Sequence, residues 1–431
     1  MKLGTLFGVL VLFLAAGTLV AEGKKAEGPE LFPATKIKTP LEIHVRTKVR
    51  GRWRSFQTRK GVLKLPACEE PIFRLGGLNG NGPNGLNEEN LPKYKKLIDQ
   101  YHIRNIELWR KDFDDAWLKQ CKEAGLFDNL TALSLNHCDK LTDISPLSDL
   151  KKLKTLVLSC CSQIKDISPL ADLKGLTKLD LSHCWLLTDI STLAELKNLT
   201  TLYLMGTSVR DLAPVSDLTE LTSLYLVSCR RLSDISAIAN LTKLETLFLT
   251  YSNEITDFSA ISGLKNLTTL ELSCNDLTDL SSFSDLKKLK KLDLRDCHKL
   301  KSLSAFSDLE NLTSLELINC NSLTDFSALS NLKNLRKLYI QSCENLADLT
   351  PLSGMKKLTS LHLTKCYNLT DLTPLSELTN LEELTIMLCN NLTDIFPLSN
   401  LKKLRKLGLV GCEKVKPEDV KKLRKQLQKC K

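Results

Sequence analysis

The chain has 431 residues and a formal net charge of +10. Length alone suggests two or three globular domains, but a repeat filling Leu130 to Val415 excludes separate cores, because a solenoid grows by addition. The excess charge is local, so it marks segments and not the whole molecule.

Residues 1–21 carry Lys2, an apolar run from Leu3 to Val20, and Ala21 before the charged Glu22. This reads as a secretory signal cut near Ala21, which places the mature chain outside the cell, in the periplasm or on the surface. An uncleaved membrane anchor is the alternative, since about 18 apolar residues approach a bilayer span. Residues 22–40 mix Lys, Glu, Gly and Pro and read as a linker. Residues 41–75 alternate in short runs and read as a small basic β element. It contains Arg46, Lys48, Arg50, Arg52, Arg54, Arg59, Lys60 and Lys64, with no acid between Glu42 and Glu69. Such a group suits acidic polysaccharide or lipid headgroups, although a solvated strand pair needs no ligand at all. Nucleic acid is not a partner that an exported chain would meet.

Residues 76–90 are a loop rich in Gly and Asn. Residues 91–129 hold two helix signals, at Pro92 to Ile98 and Phe113 to Gln120, and a degenerate strand from Ile103. They read as an N-terminal cap, which an exposed solenoid end requires. Residues 416–431 close the chain with a helix that starts at Pro417 and puts Val420, Leu423 and Leu427 on one face. A second basic group, from Lys421 to Lys431, lies there.

Between the caps, residues 130–415 repeat Leu-x-x-Leu-x-Leu-x-x-Cys-x-x-Leu-Thr-Asp-Ile-Ser-Pro-Leu thirteen times at 22 or 23 residues. Leu-x-x-Leu-x-Leu has the period of two of a half-buried strand. The return segment, as in Leu141 to Leu150, offers Asp and Ser as turn residues and apolar side chains at threes, which favours short 3₁₀ turns. The expected fold is an α/β solenoid with a parallel β ribbon on its concave face, 3₁₀ turns on its convex face and a cap at each end.

The string Asp-Ile-Ser-Pro-Leu-x-x-Leu-x-x-Leu-x-x-Leu-x-Leu resembles the bacterial internalin-type leucine-rich repeat. Internalin-type units usually have 22 residues and Asn where this chain mostly has Cys, so the chain resembles a cysteine-ladder variant. The resemblance implies a protein-binding scaffold, often extracellular and adhesive. Ten cysteines occupy the ladder position: Cys138, Cys161, Cys184, Cys229, Cys297, Cys320, Cys343, Cys366, Cys389 and Cys412. They read as buried, unreactive thiols, with stapling by disulfides as the rival reading. In the two shorter units Thr207 and Asn275 are expected at that position.

A ligand is expected on the outward strand positions, which the core leaves free. Most are Thr, Ser or Lys. Units four to six instead carry Tyr203 and Met205, Tyr225 and Val227, and Phe248 and Tyr251, followed by an acidic lane of Glu271, Asp293 and Glu316. These nine are the candidate partner-binding residues, suited to a protein with an apolar contact and a basic one; strand propensity alone is the competing explanation. The six histidines are scattered and the cysteine spacing is not a closed zinc pattern, so no catalytic, cofactor or metal site is expected. An intracellular adaptor or enzyme regulator is the alternative function if the N-terminus does not direct export. Seven Asn-Leu-Thr triplets, among them Asn198 and Asn266, read as copies of the repeat and only secondarily as glycosylation sites.

Overall fold

The computed structural model describes residues 33, 35–39, 41, 43–49, 52–57, 62–65, 69–75, 87–108 and 112–427. The expected signal segment, most of the linker and the glycine-rich stretch to residue 86 lie outside them. Each repeat contributes one strand, from β7 (Ala132–Ser134) to β19 (Lys406–Val410), and each strand pairs in parallel with the next. Leucine faces leucine at every step, as in Leu133↔Leu156, Leu202↔Leu224 and Leu384↔Leu407. Repeats therefore stack in phase, and each position in the unit becomes a column running along the molecule.

The inward columns are the core. Leu130, Leu133, Leu135, Leu147 and their repeats elsewhere are almost fully buried in one continuous cluster. The return segments fold as 3₁₀ turns, such as Ser145–Leu147 and Ser168–Leu170, each with Pro at its start. A side-chain acceptor two residues before the turn's first residue fixes its entry: the Ser145 N–H donates to Asp143 Oδ1 at 2.7 Å and the Ser168 N–H to Asp166 Oδ1 at 2.8 Å, and before Ser304 the acceptor is Ser302 Oγ at 3.1 Å. Parallel ribbon and 3₁₀ turns are thus the two sides of the solenoid.

At the N-terminal end β1 (Thr35–Lys38) pairs antiparallel with β4 (Val62–Leu65). β1 falls inside the stretch read as linker, and it is held there because Ile37, opposite Leu63, is fully buried. β2 (Ile43–Val49) pairs antiparallel with β3 (Arg52–Gln57) and with β5 (Glu69–Leu75). β5 then pairs in parallel with β6 (Asn105–Glu107), and β6 with β7. β2, β3 and β5 of the basic element are consequently part of the solenoid sheet, from which a reading by composition separates them, while β4 stays with β1 in a two-stranded sheet. α1 (Leu91–Gln100) buries Leu91, Tyr94, Leu97 and Ile98, and α2 (Asp115–Glu123) buries Leu118 and Cys121. Asp115 ties the cap to the first repeat by accepting from the N–H groups of Thr142 and Asp143 at 2.7 and 2.9 Å. At the far end α3 (Pro417–Leu427) lays Leu423 and Leu427 on the last repeat, and Arg424 donates to the Leu407 carbonyl at 3.1 Å.

The ladder position has a specific hydrogen-bonding task. In several repeats its side chain donates to the carbonyl of the second strand leucine one repeat earlier, as from Cys161 Sγ to Leu135 at 3.0 Å, Cys184 Sγ to Leu158 at 3.3 Å and Cys229 Sγ to Leu204 at 3.2 Å, whereas Thr207 Oγ1 donates within its own repeat to Leu204 at 2.7 Å. Ser252 makes the same bond to Leu226 at 2.7 Å. A small side chain with a donor is what the column selects, and Cys, Ser or Thr each provides it.

Two expectations about this column need correction. Cys274, fully buried, takes the ladder position in place of Asn275, which is partly exposed. The reason is local: other repeats place a left-handed residue just before the ladder residue, for example His183 (φ 60), Gly206 (φ 67), Tyr251 (φ 61) and Asp296 (φ 54), and the unit starting at Leu267 lacks it. Its strand runs on to Ser273 and reaches the ladder one residue sooner. The unit starting at Leu199 keeps the left-handed Gly206 and loses its residue after Thr207 instead. The second correction follows from the first, since Cys274 and Cys297 form a disulfide between adjacent repeats with Cα atoms 4.7 Å apart. The other nine ladder cysteines named above are free thiols. Burial pushes the Cys184 thiol well above its ordinary range and the Cys229 thiol up to about 11, so those two are unreactive at neutral pH.

A candidate binding column on the concave face

In-phase stacking turns one outward strand position into a single line of side chains. From the N-terminal cap it reads Arg74, Glu107, Ser134, Val157, Asp180, Tyr203, Tyr225, Phe248, Glu271, Asp293, Glu316, Tyr339, His362, Thr385 and Gly408, each opposite the next. Neighbours in this line are about 4.8 Å apart, so their side chains touch or repel directly. None of these side chains is needed to fill the core.

The central part begins with β10 (Thr201–Tyr203), β11 (Ser223–Tyr225) and β12 (Thr246–Leu249). The rings of Tyr203 and Tyr225 stack at 4.2 Å with 7° between planes, and Phe248 meets Tyr225 edge-on at 5.0 Å and 78°. Lys178 Nζ sits 5.6 Å over the Tyr203 ring. Burial pushes both phenols up, so they are neutral donors at physiological pH. Together the rings form one amphipathic wall across three strands.

Next come β13 (Thr269–Ser273), β14 (Lys291–Arg295) and β15 (Ser314–Ile318), which bring Glu271, Asp293 and Glu316 side by side. Burial, reinforced by Asp293 and Glu316 and opposed by Arg295 and Lys291, pushes the Glu271 carboxyl up to about 7. Asp293 is only 6% exposed, and burial pushes it up to about 6 against the pull of Arg295. Arg295 Nε donates to Asp293 Oδ2 at 3.0 Å, and its guanidinium reaches Glu316 at 3.8 Å. Glu271 forms no ion pair among the described residues.

Of the nine sequence candidates, six therefore join one column: Tyr203, Tyr225, Phe248, Glu271, Asp293 and Glu316. Met205 and Val227 stand two residues further along, where later repeats place Ser273, Arg295 and Ile318 opposite one another. Tyr251 does not stand beside Phe248. It occupies the left-handed turn at the rim, 43% exposed, with its N–H bonded to Ser273 Oγ at 3.0 Å. The ring partner of Phe248 is Tyr225.

Residue-by-residue reading missed the ends of the line. Tyr339 and His362, with ring centroids 5.6 Å apart, extend it beyond the acids. On the other side Asp180 is 8% exposed, accepts from the Ser182 N–H at 2.9 Å and is raised by burial. Aligning the thirteen repeats at this one position finds all of them. Trp185, 61% exposed at the edge of the next turn, lies outside the column. Among the described residues no group of acids, cysteines and histidines is arranged to hold a metal ion, and no helix is long and apolar enough to cross a membrane.

Comparison with known proteins gives three findings. A family profile described as "Leucine Rich repeats (2 copies)" matches residues 128–172, 197–243, 219–263, 265–308 and 333–377. An internalin (inlF) from Listeria monocytogenes is similar at 29% identity and a TM-score of 0.61, over 75% of this chain and 89% of that one. A leucine-rich repeat protein from Leptospira interrogans shares the fold at 20% identity and a TM-score of 0.50, over 83% of this chain and 98% of that one. Curated protein sequences give no match.

Proposed function

We propose that this chain, an internalin-like leucine-rich repeat protein, is a non-enzymatic, secreted or surface-associated scaffold that binds a protein partner along its concave column. The observation that carries the reading is the wall of Tyr203, Tyr225 and Phe248 on three consecutive strands. Inward leucines leave these positions unconstrained, and most repeats fill them with small or charged residues. Three contiguous aromatics concentrate apolar area at one site, and such clusters with a polar border supply most of the energy in protein interfaces. The acids on one side and Lys178 on the other form that border.

Capture from the native host with the mature chain identifies the partner, and the Tyr225→Ala/Phe248→Ala variant tests the site. Affinity should fall by about 30-fold or more, equivalent to ~2 kcal/mol, with an unchanged unfolding transition. Equal capture by the variant would remove the aromatic wall from the interface. Fractionation of the host addresses export: recovery of the chain only from the cytoplasm would favour an intracellular adaptor.

A further inference from the structure

We propose that the lateral edge carrying Trp185, Leu186, Arg210, Arg230 and Arg231 is a second contact surface, which takes an acidic segment of a protein partner. It lies outside the concave column and uses none of its residues. In the units starting at Leu176 and Leu221, two residues separate the ladder cysteine from the next buried leucine: Trp185 and Leu186 follow Cys184, and Arg230 and Arg231 follow Cys229. The unit between them has only Ser208 between Thr207 and the buried Val209. The edge is therefore one residue shorter there, with an apolar pair on one side and an arginine pair on the other.

Backbone bonds hold this shape. The Ser208 N–H donates to the Leu187 carbonyl at 3.1 Å and its hydroxyl to the Trp185 carbonyl at 2.7 Å, so the short turn is tied to the one before it. The indole stays in solvent, 61% exposed, beside Leu186 at 41%. Large apolar side chains scattered singly over a surface need no explanation, whereas neighbours in one exposed patch mark interaction sites.

The arginines are a separate observation, and they say what covers the patch. Arg210, three residues after Thr207, is exposed like Arg230 and Arg231, and none of the three makes an ion pair among the described residues. Nearby acids are engaged elsewhere. Asp189, Asp211 and Asp234 accept from the N–H groups of Ser191, Ala213 and Ser236 at 2.8, 2.7 and 2.7 Å, while Asp217 pairs with Lys197 at 3.0 Å and Glu220 with Lys243 at 2.6 Å. Glu254, at the position of Arg231 one unit further on, forms no ion pair with it. Exposed guanidiniums left in this state match carboxylates, which they bind in plane through two hydrogen bonds. Trp and Arg are also the side chains that protein interfaces concentrate. An acidic protein segment serves both halves at once, with carboxylates on the arginines and an aliphatic side chain on Trp185 and Leu186. A sulfated polysaccharide serves the arginines alone and sets Leu186 against hydroxyl groups.

An eight-residue peptide of alternating glutamate and leucine, carrying a neutral fluorophore, is the probe, titrated into the full chain at low ionic strength and followed by anisotropy. Expected is saturable binding that weakens about tenfold in Arg210→Gln/Arg230→Gln/Arg231→Gln and by a similar factor in Trp185→Ala. Lys421→Gln/Lys422→Gln/Lys425→Gln, which removes as many exposed charges from α3, should bind as the parent does. No saturable binding, unchanged affinity in the arginine or the tryptophan variant, or an equal loss in the lysine variant overturns the surface. Heparin fragments or phosphatidylglycerol vesicles that bind through the same arginines more tightly than the peptide would overturn the protein segment as occupant. Unfolding curves of each variant show that a loss is not a folding defect. The aromatic wall stands or falls separately, with capture of the native partner by Tyr225→Ala/Phe248→Ala.

Discussion

The ladder column and the concave column run side by side through the same thirteen repeats, yet they obey different rules. At the ladder position Cys, Ser and Thr alternate while one task persists, a short donor filling a buried slot and bonding a nearby carbonyl, that of the previous repeat for Cys161, Cys184 and Ser252 and that of its own repeat for Thr207. At the concave position nothing persists: Ser134, Asp180, Tyr225, Glu271, Tyr339 and Gly408 share a register and no chemistry. Uniformity therefore marks what stacking demands, and variety marks what stacking leaves free. The concave column even works against the fold where Glu271 and Asp293 are held in burial that disfavours their charge.

Substitutions sharpen that contrast in order of effect. Leu270→Ala, in the core column beside Glu271, should destabilise by ~3 kcal/mol in equilibrium denaturation; a cost below that of Phe248→Ala would break the distinction. Ser252→Ala should cost ~2 kcal/mol by leaving the Leu226 carbonyl and the Cys229 N–H, now bonded at 2.7 and 3.0 Å, without partners. Ser252→Cys should restore most of it, and failure to do so would show that the ladder selects size alone.

Glu271→Gln should act in the opposite direction. The folded carboxyl sits near 7 against an ordinary 4.5, so the folded chain holds its proton more tightly than the unfolded one. Its contribution is fully present below about pH 4.5 and is lost as pH rises through about 7. The glutamine variant should match the parent at pH 4, gain steadily above it, and level off above pH 7 at ~1–3 kcal/mol. A constant difference at all pH values would contradict the burial of this carboxyl. Smallest is Lys365→Gly, at a left-handed position with φ 54, where removing the Cβ should stabilise by up to ~1 kcal/mol; a loss in the denaturation midpoint would show that the Lys365 side chain packs.

Much of this was legible in the repeat. Leucine spacing gives the parallel ribbon, and Asp-x-Ser-Pro gives the 3₁₀ turns, because both follow from local chemistry copied many times. Counting from the first leucine failed at Asn275, since the deletion in that unit falls before the ladder and not after it as in the unit of Thr207. Spacing alone does not reveal which turn residue is missing; the left-handed residue that the unit lacks is visible only in the backbone. Tyr251 was misplaced for the same reason, because the chain turns between Phe248 and the rim. The N-terminal strands were readable as β structure, but pairing β5 with β6 is a long-range event that composition does not encode.

One variant addresses the separation between stacking and binding directly. Tyr203, Tyr225, Phe248, Glu271, Asp293 and Glu316 are all replaced by serine or threonine, the residues that Ser134 and Thr385 already place in this column. Its thermal unfolding is then compared with that of the parent at pH 7.5, alongside capture of the native partner. A melting temperature within roughly 5 °C of the parent, with capture abolished, is the expected result. Loss of the cooperative transition, or retained capture, would contradict the assignment of this column to binding.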